Sequence, residues 1–324
     1  MSVPKLKQIV ILSGKGGTGK TTVAAALAHL ASLEARPILV DADVDAANLE
    51  LVLSPRVQES HEFYGGKTAV IDPDRCTGCG VCASVCRFDA VIVGERPYSV
   101  DPVACEGCAS CFHRCPVNAV QMEEQLAGHW YRSETRFGLL LHARLLAGQE
   151  NSGKLVTQIK QRARSLALAE KHDYLIIDGP PGIGCPVIAA SAGTDLAVVV
   201  TEPTVAGVHD LERALATTRH FGVPTLVCLN KCDINAGRAS QVERFCHEIG
   251  APLIGRLPFD TVVTEAMVAG RTVTEHADGA ISREMARIWM AIRDALPATA
   301  GSSVEIPAAI GRRNREDCGT SDVA

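Results

Sequence analysis

Apolar residues in this chain fall into short runs separated by glycine-rich or acidic turns. The run at 8–12, QIVIL, reads as a buried strand. A glycine-rich loop follows, then an alanine-rich helical stretch, TTVAAALAHLASLEA. A second strand, PILVDADVD, ends in carboxylates, and strand–loop–helix–strand opens a parallel α/β sheet. After NLELVLSP the periodicity fails and a cysteine-rich stretch begins. The α/β pattern resumes with a helix, SGKLVTQIKQRARSLALAEK. YLIIDGPPGIG, DLAVVVTEPT and TLVCLNKCD each read as strand then loop, IGAPLIGRLPFD as a short strand, and ISREMARIWMAIRDAL as a last amphipathic helix. Little apolar content remains over 296–324, which predicts a disordered tail.

Length and composition narrow the class. A chain of 324 residues suggests about two domains. Hydrophobic residues make up 47% and aromatics only 4%, as suits an Ala/Val/Leu/Ile core. The formal net charge of −5 gives no bulk attraction to nucleic acid, and no basic stripe is evident. No apolar run approaches the ~20 residues that span a bilayer, and the C-terminal segment offers no amphipathic membrane helix. The first residues, MSVPKLKQIVILSGKGG, imitate a signal peptide. Their apolar run is short and leads into a phosphate-loop pattern without a cleavage site, so they read as strand one. Thirteen cysteines without a secretory signal argue against a disulfide scaffold and for a cytoplasmic protein.

The strongest chemical signal is SGKGGTGKTT at 13–22, which satisfies G-x-x-x-x-G-K-[ST] from Gly14 through Thr21. Gly14, Gly16, Gly17 and Gly19 let backbone N–H groups close on phosphate oxygens, with Thr18 and Thr22 in the same cradle. Lys20 would reach the β- and γ-phosphates, and the Thr21 hydroxyl would bind Mg²⁺. With a second lysine at Lys15, KGGTGKTT resembles the deviant Walker A of the MinD/ParA/Mrp superfamily of ATPases, which includes nitrogenase iron protein.

The resemblance implies a mostly parallel P-loop (Rossmann-like) sheet flanked by helices. It also implies a dimer with ATP bound, either a homodimer or a heterodimer with a related ATPase, in which Lys15 crosses to the partner's nucleotide. VDADVDAANLE resembles switch I, so Asp43 would align the attacking water and Asp41 would stand behind Mg²⁺. IIDGPPGIG resembles Walker B and switch II, with Asp178 facing the metal. NKCD places Asn230 at the base, with Pro258 and the adjacent Phe259 packing against it. Asn-Lys-x-Asp leaves guanine open, while the deviant lysine favours ATP. The catalytic set implied is Lys15, Lys20 and Asp43.

The second signal is a repeat. CTGCGVCASVCRFDAV and CEGCASCFHRCPVNAV share every cysteine at an offset of 29 residues, Cys76 to Cys105. A structural zinc needs only four ligands, typically in two pairs, and zinc is the rival reading. Each run here carries C-x₂-C-x₂-C-x₃-C, the bacterial ferredoxin spacing, in which the fourth cysteine serves the other cluster. That pattern implies one [4Fe–4S] cluster on Cys76, Cys79, Cys82 and Cys115, and a second on Cys105, Cys108, Cys111 and Cys86. Arg87 stands where proline is frequent after the fourth cysteine.

The chain thus resembles a P-loop ATPase (1–60 and 125–295) with an inserted small α+β dicluster ferredoxin domain (61–124). An ATP-gated redox protein with a redox or metallocofactor partner is the leading expectation. The alternatives are an iron–sulfur assembly or carrier ATPase and, less favoured, a MinD/ParA-type positioning ATPase. Because the insertion follows Asp43 closely, switch I is the expected link between nucleotide and lobe. Cys185 is the one cysteine near the nucleotide loops outside the repeat.

Overall fold

The computed structural model describes residues 6–94 and 97–297, so the expected tail lies outside the described residues apart from 296 and 297. β1 (Lys7–Ser13) sends Ile9 and Ile11 into one core and Val10 and Leu12 into another, as a strand covered on both faces must. The phosphate loop leads into α1 (Lys20–Ser32). The chain returns as β2 (Pro37–Asp41) and makes the short α2 (Leu49–Leu53).

β3 (Arg56–Ile71) then runs from the sheet edge into a cysteine lobe. The lobe contains α3 (Val81–Val85), β4 (Val91–Ile92), β5 (Ser99–Val100) and α4 (Ser110–Arg114). β6 (Val120–Thr135) comes back antiparallel to β3, and a tight turn joins it to β7 (Gly138–Leu145).

The remaining chain alternates helix and strand: α5 (Ser152–Ala169), β8 (Tyr174–Pro181), α6 (Cys185–Ser191), β9 (Leu196–Thr201), α7 (Val205–His220), β10 (Thr225–Asn230), α8 (Ala236–Glu248) and β11 (Leu253–Leu257). It closes with α9 (Val262–Val268), α10 (Val273–His276) and α11 (Ala280–Ala295). The sheet order is β11-β10-β9-β1-β8-β2-β7-β6-β3. Strands β11 through β7 are parallel, and β6 and β3 extend one edge antiparallel. One face packs on α5 and α6 through Leu155, Val156, Ile159 and Val187, and the other on α1 and α11 through Val23, Leu27, Ile288 and Ile292.

Strands β3 and β6 were not expected, and they run through residues 60 and 124, where the domain edges were drawn. Hydrophobic pattern could not reveal β3. It is the sheet's edge strand, and only Phe63, Gly65, Thr68, Ala69 and Ile71 along it are buried. The lobe is thus carried on two continuous strands of the main sheet.

Within the lobe the 29-residue repeat is also a repeat of backbone conformation. Gly78 and Gly107, Gly80 and Ala109, and Asp89 and Asn118 are matched pairs with left-handed φ. The Asp72 N–H donates to the Ala119 carbonyl, and its counterpart Asp101 donates to Ala90, both at 2.8 Å. The two halves therefore exchange equivalent hydrogen bonds about a pseudo-two-fold axis. The lobe's own core is small: Ala69, Ile71, Cys82, Cys111 and Val120. By contrast Leu155 is fully buried in the main core. Leu155→Ala should cost about 2–5 kcal/mol in urea denaturation; a loss below about 1 kcal/mol would show that α5 is not anchored there.

Candidate functional site

The phosphate loop joins the end of β1 to the start of α1, in the middle of the parallel strands. Gly19 takes φ +93 as the residue before the helix, and a Cβ there would strike the Asn230 amide. Lys20 opens α1 and is 6% exposed. Its ammonium donates to Asp178 Oδ1 at 2.7 Å and lies 3.7 Å from Asp43 Oδ2. Thr21 occupies the same first helical turn.

Asp41 ends β2 directly opposite Asp178 on β8. Both carboxylates are buried, and Asp41 accepts the N–H groups of Asp43 at 3.2 Å and Leu49 at 3.0 Å. Burial, reinforced by Asp178, pushes Asp41 up to about 7. Asp43 is also raised, by burial that the Lys20 charge opposes. Burial alone would lower the Lys20 ammonium, yet Asp178, Asp43 and Asp41 hold it above its usual value. Two buried polar atoms, Thr18 Oγ1 and Asp178 Oδ2, have no hydrogen-bond partner. Facing carboxylates with an unpartnered oxygen suit a hard divalent cation with oxygen ligands, so these residues fit Mg²⁺ beside a phosphate.

A pocket adjoins the loop, lined by Gly17, Gly19, Thr22, Asn230, Pro258 and Phe259 among others. Asn230 donates its amide to the Thr18 carbonyl at 2.7 Å, and Asp233 accepts the Phe259 N–H at 2.7 Å. Both side chains of the Asn-Lys-x-Asp pattern are therefore engaged on the protein's own backbone.

Lys15 lies within its own chain. Its ammonium is 2.6 Å from Glu202 Oε1 and 3.4 Å from the Thr204 hydroxyl. Lys231 meets the other oxygen of Glu202 at 2.9 Å and also donates to the Gly17 carbonyl. Burial would raise Glu202, but the two lysines hold it below the usual carboxylate range. Sequence reasoning missed Glu202 and Lys231 as site residues. The faint signal was a charged residue directly after a mostly apolar strand, at VTEPT and NKCD.

The cysteines gather in two sets. Cys76, Cys79, Cys82 and Cys115 line one small pocket, and Cys86, Cys105, Cys108 and Cys111 line another. No three His, Cys, Asp or Glu side chains among the described residues converge as around a single ion. Cys185 is exposed at the start of α6, outside both sets.

A family model described as the CobQ/CobB/MinD/ParA nucleotide binding domain matches residues 9–273. The chain belongs to the CobQ/CobB/MinD/ParA family. An uncharacterized protein of Methanocaldococcus jannaschii is 37% identical over 230 residues, 71% of this chain and 80% of that one. The septum site-determining protein MinD of Synechocystis is 28% identical over 257 residues, 78% and 76% of the respective chains. The cell division ATPase MinD of Pyrococcus furiosus has the same fold, with a TM-score of 0.54 at 20% identity over 90% of this chain and 99% of that one. MinD of Pyrococcus horikoshii, solved with Mg-ADP, gives 0.54 at 20% over 89% and 96%. As a member of the CobQ/CobB/MinD/ParA family, the chain is a P-loop ATPase. Among the described residues no helix is long and apolar enough to cross a membrane.

The raised Asp41 has a consequence for pH. Its carboxyl holds a proton more tightly folded than unfolded, so its contribution to stability falls as pH rises from about 4 to about 7, then levels. With EDTA present, the melting temperature of Asp41→Asn relative to the parent should therefore climb across that window and flatten above it. A difference that stays constant with pH would contradict the facing-carboxylate arrangement.

Proposed function

We propose that this chain is an ATP-dependent dimeric switch carrying two [4Fe–4S] clusters, in which nucleotide state controls docking of, or electron transfer through, the cysteine lobe. The observation that carries this reading is the grouping of cysteines. The four that line each pocket are three from one run and the fourth from the other, the crossing that ferredoxin spacing implies. Four thiolates spread around a cavity suit a polynuclear cluster better than zinc, which draws its ligands onto one point. Such clusters would supply one-electron chemistry and act as staples for a lobe whose own core is too small to stand alone.

On the nucleotide side, Lys20 would hold the β- and γ-phosphates while Thr21, Asp41 and Asp178 serve Mg²⁺. Asp43 would align water, and Lys15 would reach the partner's phosphates, so that hydrolysis is positioning plus charge neutralisation. The deviant lysine, Lys15, favours adenine over guanine, and one oxygen of Asp233 already accepts the Phe259 N–H.

The contacts support a coupling route additional to switch I. α6 follows switch II, and Lys160 of α5 donates to its terminal carbonyls, at 2.6 Å for both Ala190 and Ala192. Near the start of α5, Lys154 donates to the Tyr64 and Gly65 carbonyls of β3. A few residues on, the Lys67 carbonyl packs against Gly107, where no Cβ fits, beside the second cysteine pocket. A positioning role of the MinD kind is the second reading, favoured by the relatives with that name.

Metal analysis separates the two. Anaerobically purified protein should contain about eight iron and eight sulfide per chain, and Cys115→Ala should remove the cluster of the first cysteine run while sparing the other. Zinc in place of iron, or no metal at all, would overturn the iron–sulfur reading and leave the positioning ATPase.

A further inference from the structure

A row of polar side chains crosses the sheet from the phosphate-loop site toward the strands that carry the cysteine lobe. Asp178 on β8, Asp41 on β2, His142 on β7 and Tyr131 on β6 are successive register partners, so their side chains stand on one face. His142 is buried, and its Nε2 lies 2.9 Å from the hydroxyl of Ser133, a buried residue of β6. Its Nδ1 lies 3.3 Å from Glu50 Oε2 yet makes no hydrogen bond. In the tautomer with the proton on Nδ1, Ser133 donates to Nε2, and a small shift of Glu50 would complete an Nδ1–H···carboxylate bond. A buried ring nitrogen left unpaired is unfavourable, so any state that brings Glu50 closer gains that bond.

Glu50 belongs to α2, whose two ends are held differently. The last carbonyls, of Val52 and Leu53, accept from Arg136 at 3.0 and 2.9 Å, and Arg136 is itself fixed by Glu275 at 2.7 and 2.8 Å. The first N–H, of Leu49, donates to Asp41 Oδ2 at 3.0 Å. One end is therefore bolted to the turn between β6 and β7, while the other hangs on a carboxylate of the nucleotide site. The second oxygen of Glu50 meets Arg144 on β7.

We propose that Glu50 and His142 are positioning residues that relay the state of the nucleotide site to β6, the strand that returns from the lobe. When a ligand draws on Asp41, the first turn of α2 shifts, and Glu50 makes or releases His142, whose other nitrogen holds Ser133. The relay rests on the reading that nucleotide state controls the lobe, and supplies its contacts on the Asp41 side. Small shifts become large ones where a packed contact is either made or broken. β7 pairs with β6 from Gly128 to Thr135; nearer the lobe, over 120–126, the one strand beside β6 among the described residues is β3. A two-stranded ribbon twists more freely than a wide sheet, so a change in how β6 is pinned at Ser133 is passed outward to the lobe.

The test is hydrogen–deuterium exchange of the intact, anaerobically purified chain with Mg²⁺ and either ADP or a non-hydrolysable ATP analogue, read over 105–127. In the parent, exchange there should differ at least about fivefold between the two nucleotides. In Glu50→Ala and in Ser133→Ala the difference should shrink below about twofold while both nucleotides still bind. The double variant should lose no more than either single one, as members of one relay must. Ser133→Ala removes a single oxygen and serves if Glu50→Ala does not fold. Loss of a merely structural contact would speed exchange by the same factor with either nucleotide and leave their ratio unchanged. If the parent shows no difference between nucleotides, control of the lobe by nucleotide fails and the relay with it. If the parent shows the difference and both variants keep it, that control stands, the relay is overturned, and the route through α5 carries the signal.

Discussion

The Lys20 ammonium, buried between carboxylates, is the interaction on which the site depends. Three strands meet there at their carboxyl ends: β1 through the phosphate loop, β2 through Asp41, and β8 through Asp178. Two carboxylates facing each other across neighbouring strands, both out of water, would repel strongly without a nearby cation. Lys20 supplies that cation at 2.7 Å from Asp178, with Asp43 completing the set. This makes the nucleotide site and the centre of the sheet one electrostatic unit. Anything that draws Lys20 toward a phosphate changes the balance on Asp41, Asp43 and Asp178 together, and with them the two loops that follow β2 and β8.

Much of this was legible in the sequence, for physical reasons that differ along the chain. Parallel strands covered on both faces must be nearly all apolar, so IVIL, PILVD, YLIID, LAVVVT and TLVCLN declared themselves. The loop chemistry of Gly14–Thr22 followed because few residue types allow a backbone to close on phosphate. The 29-residue repeat was visible, and the backbone at Gly80 and Ala109 repeats with it. What stayed hidden was the long β3–β6 ribbon. An edge strand such as RVQESHEFYGGKTAVI has one side in solvent and carries polar residues, so no alternation marks it. Glu202 was hidden for another reason. Its partners Lys15 and Lys231 are far away in sequence, and only the fold shows that one carboxylate serves both.

The ribbon changes how the two parts of the molecule relate. An insertion on a flexible surface loop would move independently of the nucleotide. Here the lobe hangs on two strands hydrogen-bonded into the same sheet that carries the site, with Lys154 of α5 bonded to the β3 backbone midway. α5 in turn grips the end of α6 through Lys160, a buried lysine whose burial lowers it to about 8. The segment after β8 and the cysteine lobe thus share α5 as a neighbour. Motion of either can bias the other through these packed contacts.

The most direct test of that coupling is an anaerobic redox titration of the intact protein, followed by EPR, with ADP and then with a non-hydrolysable ATP analogue. With the proposed clusters in place, a coupled switch predicts potentials that differ by tens of millivolts between the two nucleotides, where ~30–60 mV corresponds to about 0.7–1.4 kcal/mol for a one-electron couple. Potentials and spectra that are identical in both states would contradict it and leave the lobe electronically independent of the ATPase.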